Sequence, residues 1–457
     1  MGKYFGTDGI RGIVGEAIGD VMLDARLAYQ TGRAAASVLT SNGTGVNGKK
    51  PSVMIAKDTR ISGDMLVSAL AAGLCSAGAN VTILGVLPTP AVAYLTVKNG
   101  ADIGAVVSAS HNPYDHNGIK LFGKNGFKLS DELEARIEAL IDDDSGTLKP
   151  SVSDLGRVRG NHSFWVGQYV NYLAYMSEGR YRGKVAIDCA NGAASETAHE
   201  LFTKLGVDFE IFYDDPDGVN INNKCGATYL QPLQDLMKTG RFNVGFAFDG
   251  DADRCIAVDE LGQIVDGDMI IAVLTRAMHE SGLLKGGGVV GTIVSNSGMD
   301  VFARNNGFCF HRSIVGDRYV LEKMQETGCN IGGESSGHVI LSDIATTGDA
   351  QLTAIKFLSV LTASGKTVSQ LVSDIPSFPQ VMPVYKLVGG TEERNAIMSD
   401  PRLTEEIQRQ EALLGGEGRI LVRPSGTEPV IRVLVEAKTT QEASIRAESL
   451  IDFIKSL

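Results

Sequence analysis

The chain has 457 residues, of which 43% are apolar and 21% charged, and its formal net charge at pH 7 is −12. A single hydrophobic core stops growing at roughly 250–300 residues, so this length implies several domains. The acidic balance excludes a nucleic-acid or anionic-membrane partner held by bulk charge, and it leaves any phosphorylated substrate to be caught by local cations.

The first residues, Met1-Gly2-Lys3-Tyr4-Phe5-Gly6-Thr7, carry no apolar run of the kind a secretory leader needs. Phe5-Gly6-Thr7-Asp8-Gly9-Ile10-Arg11-Gly12 packs three glycines into eight residues. That density implies close backbone approach to something, and Arg11 supplies a planar fork suited to phosphate. A tight turn before a strand is the plainer alternative. Residues 51–56 read as a short strand ending in Lys57-Asp58-Thr59-Arg60. A helix is expected over 62–77, capped by Ser62 and ended by Gly78. A strand over 80–84 and a helix over 89–98, opened by Pro90, come next. The apolar run 104–107 then stops at Ser108-Ala109-Ser110-His111-Asn112-Pro113. This is the pattern of a buried strand delivering Ser110 to the mouth of a cleft, with Pro113 ending the ladder. Gly118, Lys120, Gly123 and Gly126 follow. A helix over 130–142 closes the unit, and 142–153, rich in Asp, Ser and Gly, reads as a linker. Alternating strands and helices give an α/β unit with a mostly parallel sheet.

A second unit opens with a helix near Phe164. Its strands are expected over 184–188, 208–213 and 243–248, the last running into Asp249-Gly250-Asp251-Ala252-Asp253-Arg254. A hairpin over 255–258 and 263–265 turns at Gly262. The third unit has helices over 268–280, 317–326 and 349–361 and strands over 289–294, 309–311 and 339–341. Gly333-Glu334-Ser335-Ser336-Gly337-His338 precedes the last of these strands. Pro376, Pro379 and Pro383 mark another boundary. The final unit has helices near Glu393 and Glu405, strands over 419–422 and 430–437, and a closing helix over 441–456. The expected domains are 1–153, 154–258, 259–372 and 373–457. The six cysteines are scattered and form no CxxC pair, which suits neither zinc nor a disulfide framework and points to a reducing cytoplasm. No apolar run reaches the ~20 residues of a membrane span.

Four loops carry chemistry. Asp249, Asp251 and Asp253 stand at period two, which in extended backbone places three carboxylates on one face. Such a group raises its own pKa values unless a cation is present, and few hard oxygen ligands point to Mg²⁺. A solvated acidic turn is the alternative. Ser110 is the candidate phosphoryl carrier, with His111 placed to orient it. Lys120 could move a proton if burial lowers its pKa; turn capping is the competing role for the serines. Glu334, Ser336 and His338 offer a mixture suited to sugar hydroxyls, or a polar hairpin turn. Arg423, Ser425, Gly426 and Thr427, with Arg432, form a phosphate cradle by composition, without the lysine spacing of an NTPase loop. A hydrolase needs no holder for a second phosphate, whereas a mutase does.

These loops resemble the α-D-phosphohexomutase superfamily over nearly the whole chain, in the family's order. Residues 1–12 and 108–113 look most like the bacterial phosphoglucosamine mutases; phosphomannomutase/phosphoglucomutase relatives more often carry Thr-Gly-Ser-His-Asn-Pro at the serine loop. The resemblance implies three similar mixed-sheet α/β domains and a smaller C-terminal α+β domain around a central cleft. It implies phosphorylation of Ser110, and one Mg²⁺ held by Asp249, Asp251 and Asp253 with a phosphate oxygen on Ser110. Arg11, Lys120 and Arg254 would line the reaction centre, Lys120 as proton carrier. Glu334, Ser336 and His338 would meet the sugar, and Arg423, Ser425, Gly426, Thr427 and Arg432 its phosphate. The implied reaction interconverts glucosamine 6-phosphate and glucosamine 1-phosphate in the cytoplasm, feeding amino-sugar nucleotide synthesis for the bacterial wall. Its partner is a small sugar phosphate, with neither nucleic acid nor membrane, and a homodimer is compatible with it. The family's sugar loop usually reads Gly-Glu-Gln-Ser-Gly-His, and this chain has Ser335 at the Gln position. Competing readings are a phosphomannomutase/phosphoglucomutase, a Mg²⁺-dependent sugar phosphatase and a sugar-phosphate sensor without turnover.

Overall fold

The computed structural model describes residues 2–6, 8–18, 21–40, 49–415, 418–425 and 430–457. Ser52–Lys57 and Ile103–Val107 are apolar along nearly their whole length and buried on both faces, as strands inside a parallel sheet must be. They lie side by side in a seven-stranded sheet ordered Phe5–Gly6, Gly9–Ile13, His116–Gly123, Ile103–Val107, Ser52–Lys57, Asn80–Val86, Val158–Gly160. The half containing Ile103–Val107, Ser52–Lys57, Asn80–Val86 and Val158–Gly160 is parallel, and the other half is antiparallel. Two further mixed sheets follow, one built on Lys184–Asp188 and Val244–Phe248, the other on Gly288–Thr292 and Ile331–Gly333. The C-terminal sheet is antiparallel throughout.

Three features depart from the sequence expectations. His116–Gly123 is a strand paired with Ile103–Val107, in a glycine-rich stretch for which the sequence predicts no element. Gly118 explains the discrepancy. A Cβ there would stand 2.6 Å from the Ile10 carbonyl oxygen and 2.7 Å from that of Ser108, so the residue permits close strand packing rather than a turn. A helix over Ala25–Leu39, capped by Asp24, went unanticipated. Backbone pairing also carries sheets past two expected boundaries: Val158–Gly160 completes the first sheet and Ile264–Val265 the second.

One continuous apolar cluster runs from Met54 through Phe246 to Ile375 and joins the first three units, and the first unit has a second cluster of its own from Phe5 to Ile141. The last unit has its own, from Ile397 to Ile454. Its junction with the third unit is polar. The buried Glu436 carboxylate accepts from Arg419, Gln380 and Ser297, and Arg419 donates to the carbonyls of Ile293 and Ser295. A small polar interface between separate cores is where relative domain motion is expected.

Beside this junction, burial and the neighbouring Asp266 carboxylate raise the Asp268 pKa from its ordinary 3.8 to about 7, while Asn296 N–H donates to it. A carboxyl raised in the folded state favours folding below its unfolded pKa, and that advantage is lost as pH rises through the folded value. The stability of the wild type relative to Asp268→Asn, which is neutral at every pH, should therefore fall between pH 3.8 and about 7. Urea midpoints of both proteins across that range test this, and parallel profiles would refute it.

Candidate active site

Ser110 follows the end of Ile103–Val107 and adopts φ 54°, a left-handed conformation uncommon for serine. Its N–H donates to Ser108 Oγ, and Ser108 Oγ donates to Asp58. Its own hydroxyl, 1% exposed, donates to Asp249 Oδ2 at 2.7 Å and lies 3.3 Å from His111 Nδ1. Burial, with Arg254 and Arg11 adding to it, lowers the His111 pKa to about 4, so the imidazole is neutral beside the serine.

The aspartates follow the buried strand Val244–Phe248. They do not line one face of an extended run. Ala252 N–H donates to the Asp249 carbonyl and Ala252 sits at φ 55°, so a turn folds the loop back on itself. The turn brings carboxylate oxygens of Asp249, Asp251 and Asp253 within 4.8 Å of one another. Asp249 Oδ1 accepts from the N–H groups of Asp253 and Arg254. Asp251 Oδ2 accepts from Thr89 Oγ1 at 2.6 Å and Lys120 Nζ at 2.8 Å. Burial, then Asp253 and Asp251, push the Asp249 pKa well up. Burial also acts to raise Asp253, but Lys120, His338 and Arg254 together hold it well down. Asp251 Oδ1 and Asp253 Oδ1 are buried and have no hydrogen-bond partner among the described residues. Such oxygens are costly to leave unpaired, and a cluster of hard donors supplying them fits Mg²⁺.

Lys120 reaches Asp251, Asp8 at 3.1 Å and Asp253 at 3.5 Å. The sequence reading required burial to lower its pKa. Burial does act in that direction, but the three carboxylates outweigh it and hold the ammonium above its ordinary value. Asp8, to which the sequence reading gave no role, receives Arg11, Lys120 and Lys128. Lys128 also pairs with Asp317 of the third unit. Arg254 Nε approaches Asp253 Oδ1 at 3.8 Å, beyond hydrogen-bond distance, and the buried Nε atoms of Arg11 and Arg254 have no hydrogen-bond partner among the described residues.

The loop 334–338 joins the strands Ile331–Gly333 and Val339–Leu341. Gly337 sits at φ 95°, and a Cβ on it would stand 2.5 Å from the Cys255 carbonyl oxygen, so this turn requires glycine. Glu334 is half-buried, accepting from Gly316 N–H, and Ser336 is exposed. His338 is 2% exposed. Gly348 N–H donates to its Nε2, and its Nδ1 faces Asp253 at 3.7 Å. Its ring thus packs between Gly348 and the acidic cluster, with Asp317 3.6 Å from Nε2. In the last unit Arg423 and Arg432 stand opposite one another on paired strands. Directly opposed like charges are destabilising without an anion to share. Burial, then Arg432, lower the Arg423 pKa. Ser425 N–H donates to the Val430 carbonyl. Gly426 and Thr427 lie outside the described residues.

Family models described as phosphoglucomutase/phosphomannomutase match in sequence order: alpha/beta/alpha domain I over residues 2–147, domain II over 167–262, domain III over 266–378 and the C-terminal domain over 389–452. A phosphoglucosamine mutase of Ruminiclostridium cellulolyticum is 44% identical over 457 residues, covering 100% of this chain and 99% of that protein. A crystal structure of a phosphoglucomutase/phosphomannomutase family protein from Burkholderia thailandensis superposes with a TM-score of 0.78 at 26% identity, covering 98% of this chain and 97% of the other. Aspergillus fumigatus N-acetylphosphoglucosamine mutase, solved with GlcNAc-6P and magnesium, shares the fold at a TM-score of 0.63 and 18% identity, over 94% of this chain and 99% of that one.

Proposed function

Since the chain belongs to the phosphoglucomutase/phosphomannomutase family, we propose that it interconverts glucosamine 6-phosphate and glucosamine 1-phosphate through a phosphorylated Ser110. The observation that carries this reading is the Ser110 hydroxyl bonded to Asp249 inside a buried acidic cluster that has two oxygens to spare. The free hydroxyl of the sugar phosphate attacks the phosphorus of phospho-Ser110. A new P–O bond forms to the sugar, the bond to Ser110 Oγ breaks, the proton of the attacking hydroxyl ends on Ser110 Oγ, and a bisphosphorylated sugar results. That sugar turns end for end in the cleft and returns its other phosphoryl group to Ser110.

Arg423 and Arg432 grip whichever phosphate is not reacting, and Glu334 and Ser336 meet the sugar hydroxyls. Lys120 acts as a fixed cation, not as a base, and Arg11 and Arg254 offset the remaining phosphoryl charge. Asp249, Asp251 and Asp253 would hold one Mg²⁺ with an oxygen of the Ser110 phosphoryl, and the ion supplies charge neutralisation for the transfer. The polar junction of the last unit lets the phosphate grip follow the turning sugar. We place the reaction in the cytoplasm; no helix of the described residues is long and apolar enough to cross a membrane.

The test compares turnover on the 6-phosphates of glucosamine, glucose and mannose while monitoring inorganic phosphate. Glucosamine 6-phosphate should be converted fastest, with no steady phosphate release. Preference for a hexose would favour the phosphomannomutase/phosphoglucomutase reading that Ser335 leaves in contention. Steady phosphate release would make the protein a phosphatase, and binding without exchange a sensor.

A further inference from the structure

A serine at positive φ stays there only if its surroundings hold it. Both backbone polar groups of Ser110 are held. The N–H is fixed through Ser108 to Asp58. The carbonyl accepts from two side chains on different domains: Arg60 Nη2 at 2.9 Å and Asn222 Nδ2 at 2.9 Å. The same two side chains donate to the Asn112 carbonyl, at 2.8 and 3.0 Å. Arg60 is buried and paired with Asp58 on the serine's own domain. Asn222 comes from the second α/β domain. It is itself at φ 57°, and its N–H donates to the carbonyl of Ala190, another left-handed residue. Two carbonyl acceptors fix which way its amide faces, because only the NH₂ end can serve both.

We infer that Asn222 is a positioning residue for phosphoryl transfer: by holding the carbonyls of Ser110 and Asn112 from across the domain seam, it aims the Ser110 hydroxyl at Asp249. The inference rests on Ser110 being the phosphoryl carrier. Without the Asn222 donor, the Ser110 carbonyl keeps only Arg60, rotation about the Ser110 backbone becomes easier, and Oγ swings away from Asp249. The sugar and phosphate loops belong to other domains and are untouched.

Asn222→Gly separates this role from a conformational one. Glycine accepts φ 57° without strain, so a residue needed only for backbone shape would be replaced without loss. The expected result is a fall in kcat of about 100-fold, the cost of displacing a reacting group by about 1 Å, with KM for glucosamine 6-phosphate unchanged. Phosphoryl transfer from glucosamine 1,6-bisphosphate to Ser110, followed by intact mass, should slow in parallel. Wild-type kcat, or a raised KM with kcat intact, would overturn the inference. If the glycine variant melts early, near-isosteric Asn222→Asp decides: slow transfer at a wild-type melting temperature supports the role, and wild-type transfer refutes it. Wild-type protein that takes no phosphoryl group on Ser110 would instead defeat the carrier reading, and that is seen before any variant is made.

Discussion

Replacing Ser110 with alanine should abolish mutase turnover while glucosamine 6-phosphate still binds. In the proposed mechanism the hydroxyl is the covalent relay, and its loss removes the pathway rather than weakening it. Deleting a nucleophile of this kind costs on the order of 10⁴-fold or more in kcat. Binding should survive because the groups proposed to hold substrate are elsewhere. Arg423 and Arg432 stand on the C-terminal sheet, and Glu334 is held in its hairpin by Gly316 N–H. The fold should survive as well. Alanine at φ 54° is no more strained than serine, and the carbonyl of residue 110 keeps its bonds from Arg60 and Asn222. The bond to Asp249 is lost, but Asp249 Oδ1 still accepts two backbone N–H groups. Calorimetric titration with glucosamine 6-phosphate, run beside a continuous turnover assay, gives the result. Substantial residual isomerisation would disprove the covalent role.

The strands that deliver the site were legible because a parallel strand buried on both faces is an uninterrupted apolar run, and its functional end is where polarity begins. Ile103–Val107 before Ser110 and Val244–Phe248 before Asp249 both read this way. Residue type was therefore visible where geometry was not. The three aspartates stood out by spacing, yet a turn through Ala252 gathers them, and no period in the sequence signals that. His338 looked like a sugar ligand because it follows a glycine in a polar loop. Its burial against Gly348 and Asp253 depends on packing between units. The condition set for Lys120, a pKa lowered by burial, could not be checked in the sequence because Asp8, Asp251 and Asp253 converge on it only in three dimensions. Lys128 is the extreme case, meeting Asp8 and Asp317 at separations of 120 and 189 residues. Asp58 and Arg60 were noticed at a strand end, but nothing local connected them to the serine backbone.

Asp251→Ala should cripple metal dependence without harming the fold, and a second buried aspartate shows why. Asp188 is as deeply buried as Asp251, but both its oxygens are satisfied by neutral donors, the N–H groups of Ala190 and Gly226. Asp188→Asn must turn an NH₂ against one of those N–H groups, at a cost of about 1–3 kcal/mol in stability and none in metal binding. Asp251 is the reverse. Its Oδ2 accepts from Thr89 and Lys120, but its Oδ1 has no hydrogen-bond partner among the described residues, and its neighbours in the cluster are two other carboxylates. Removing it relieves repulsion among the acids but also takes away the bonds from Thr89 and Lys120, and Lys120 keeps Asp8 and Asp253. In metal-free buffer Asp251→Ala should therefore keep its fold but melt earlier than wild type. A ligand that binds only the folded state raises the melting temperature by mass action, so added Mg²⁺ should raise it for wild type and for Asp188→Asn but not for Asp251→Ala. Mn²⁺ affinity, read from the free-ion electron paramagnetic resonance signal, should fall by at least about 100-fold, the upper end of what losing even an outer-sphere partner does. An unchanged Mg²⁺ shift in Asp251→Ala would remove Asp251 from the ligand set, and with it the reason for three acids to be buried beside Ser110.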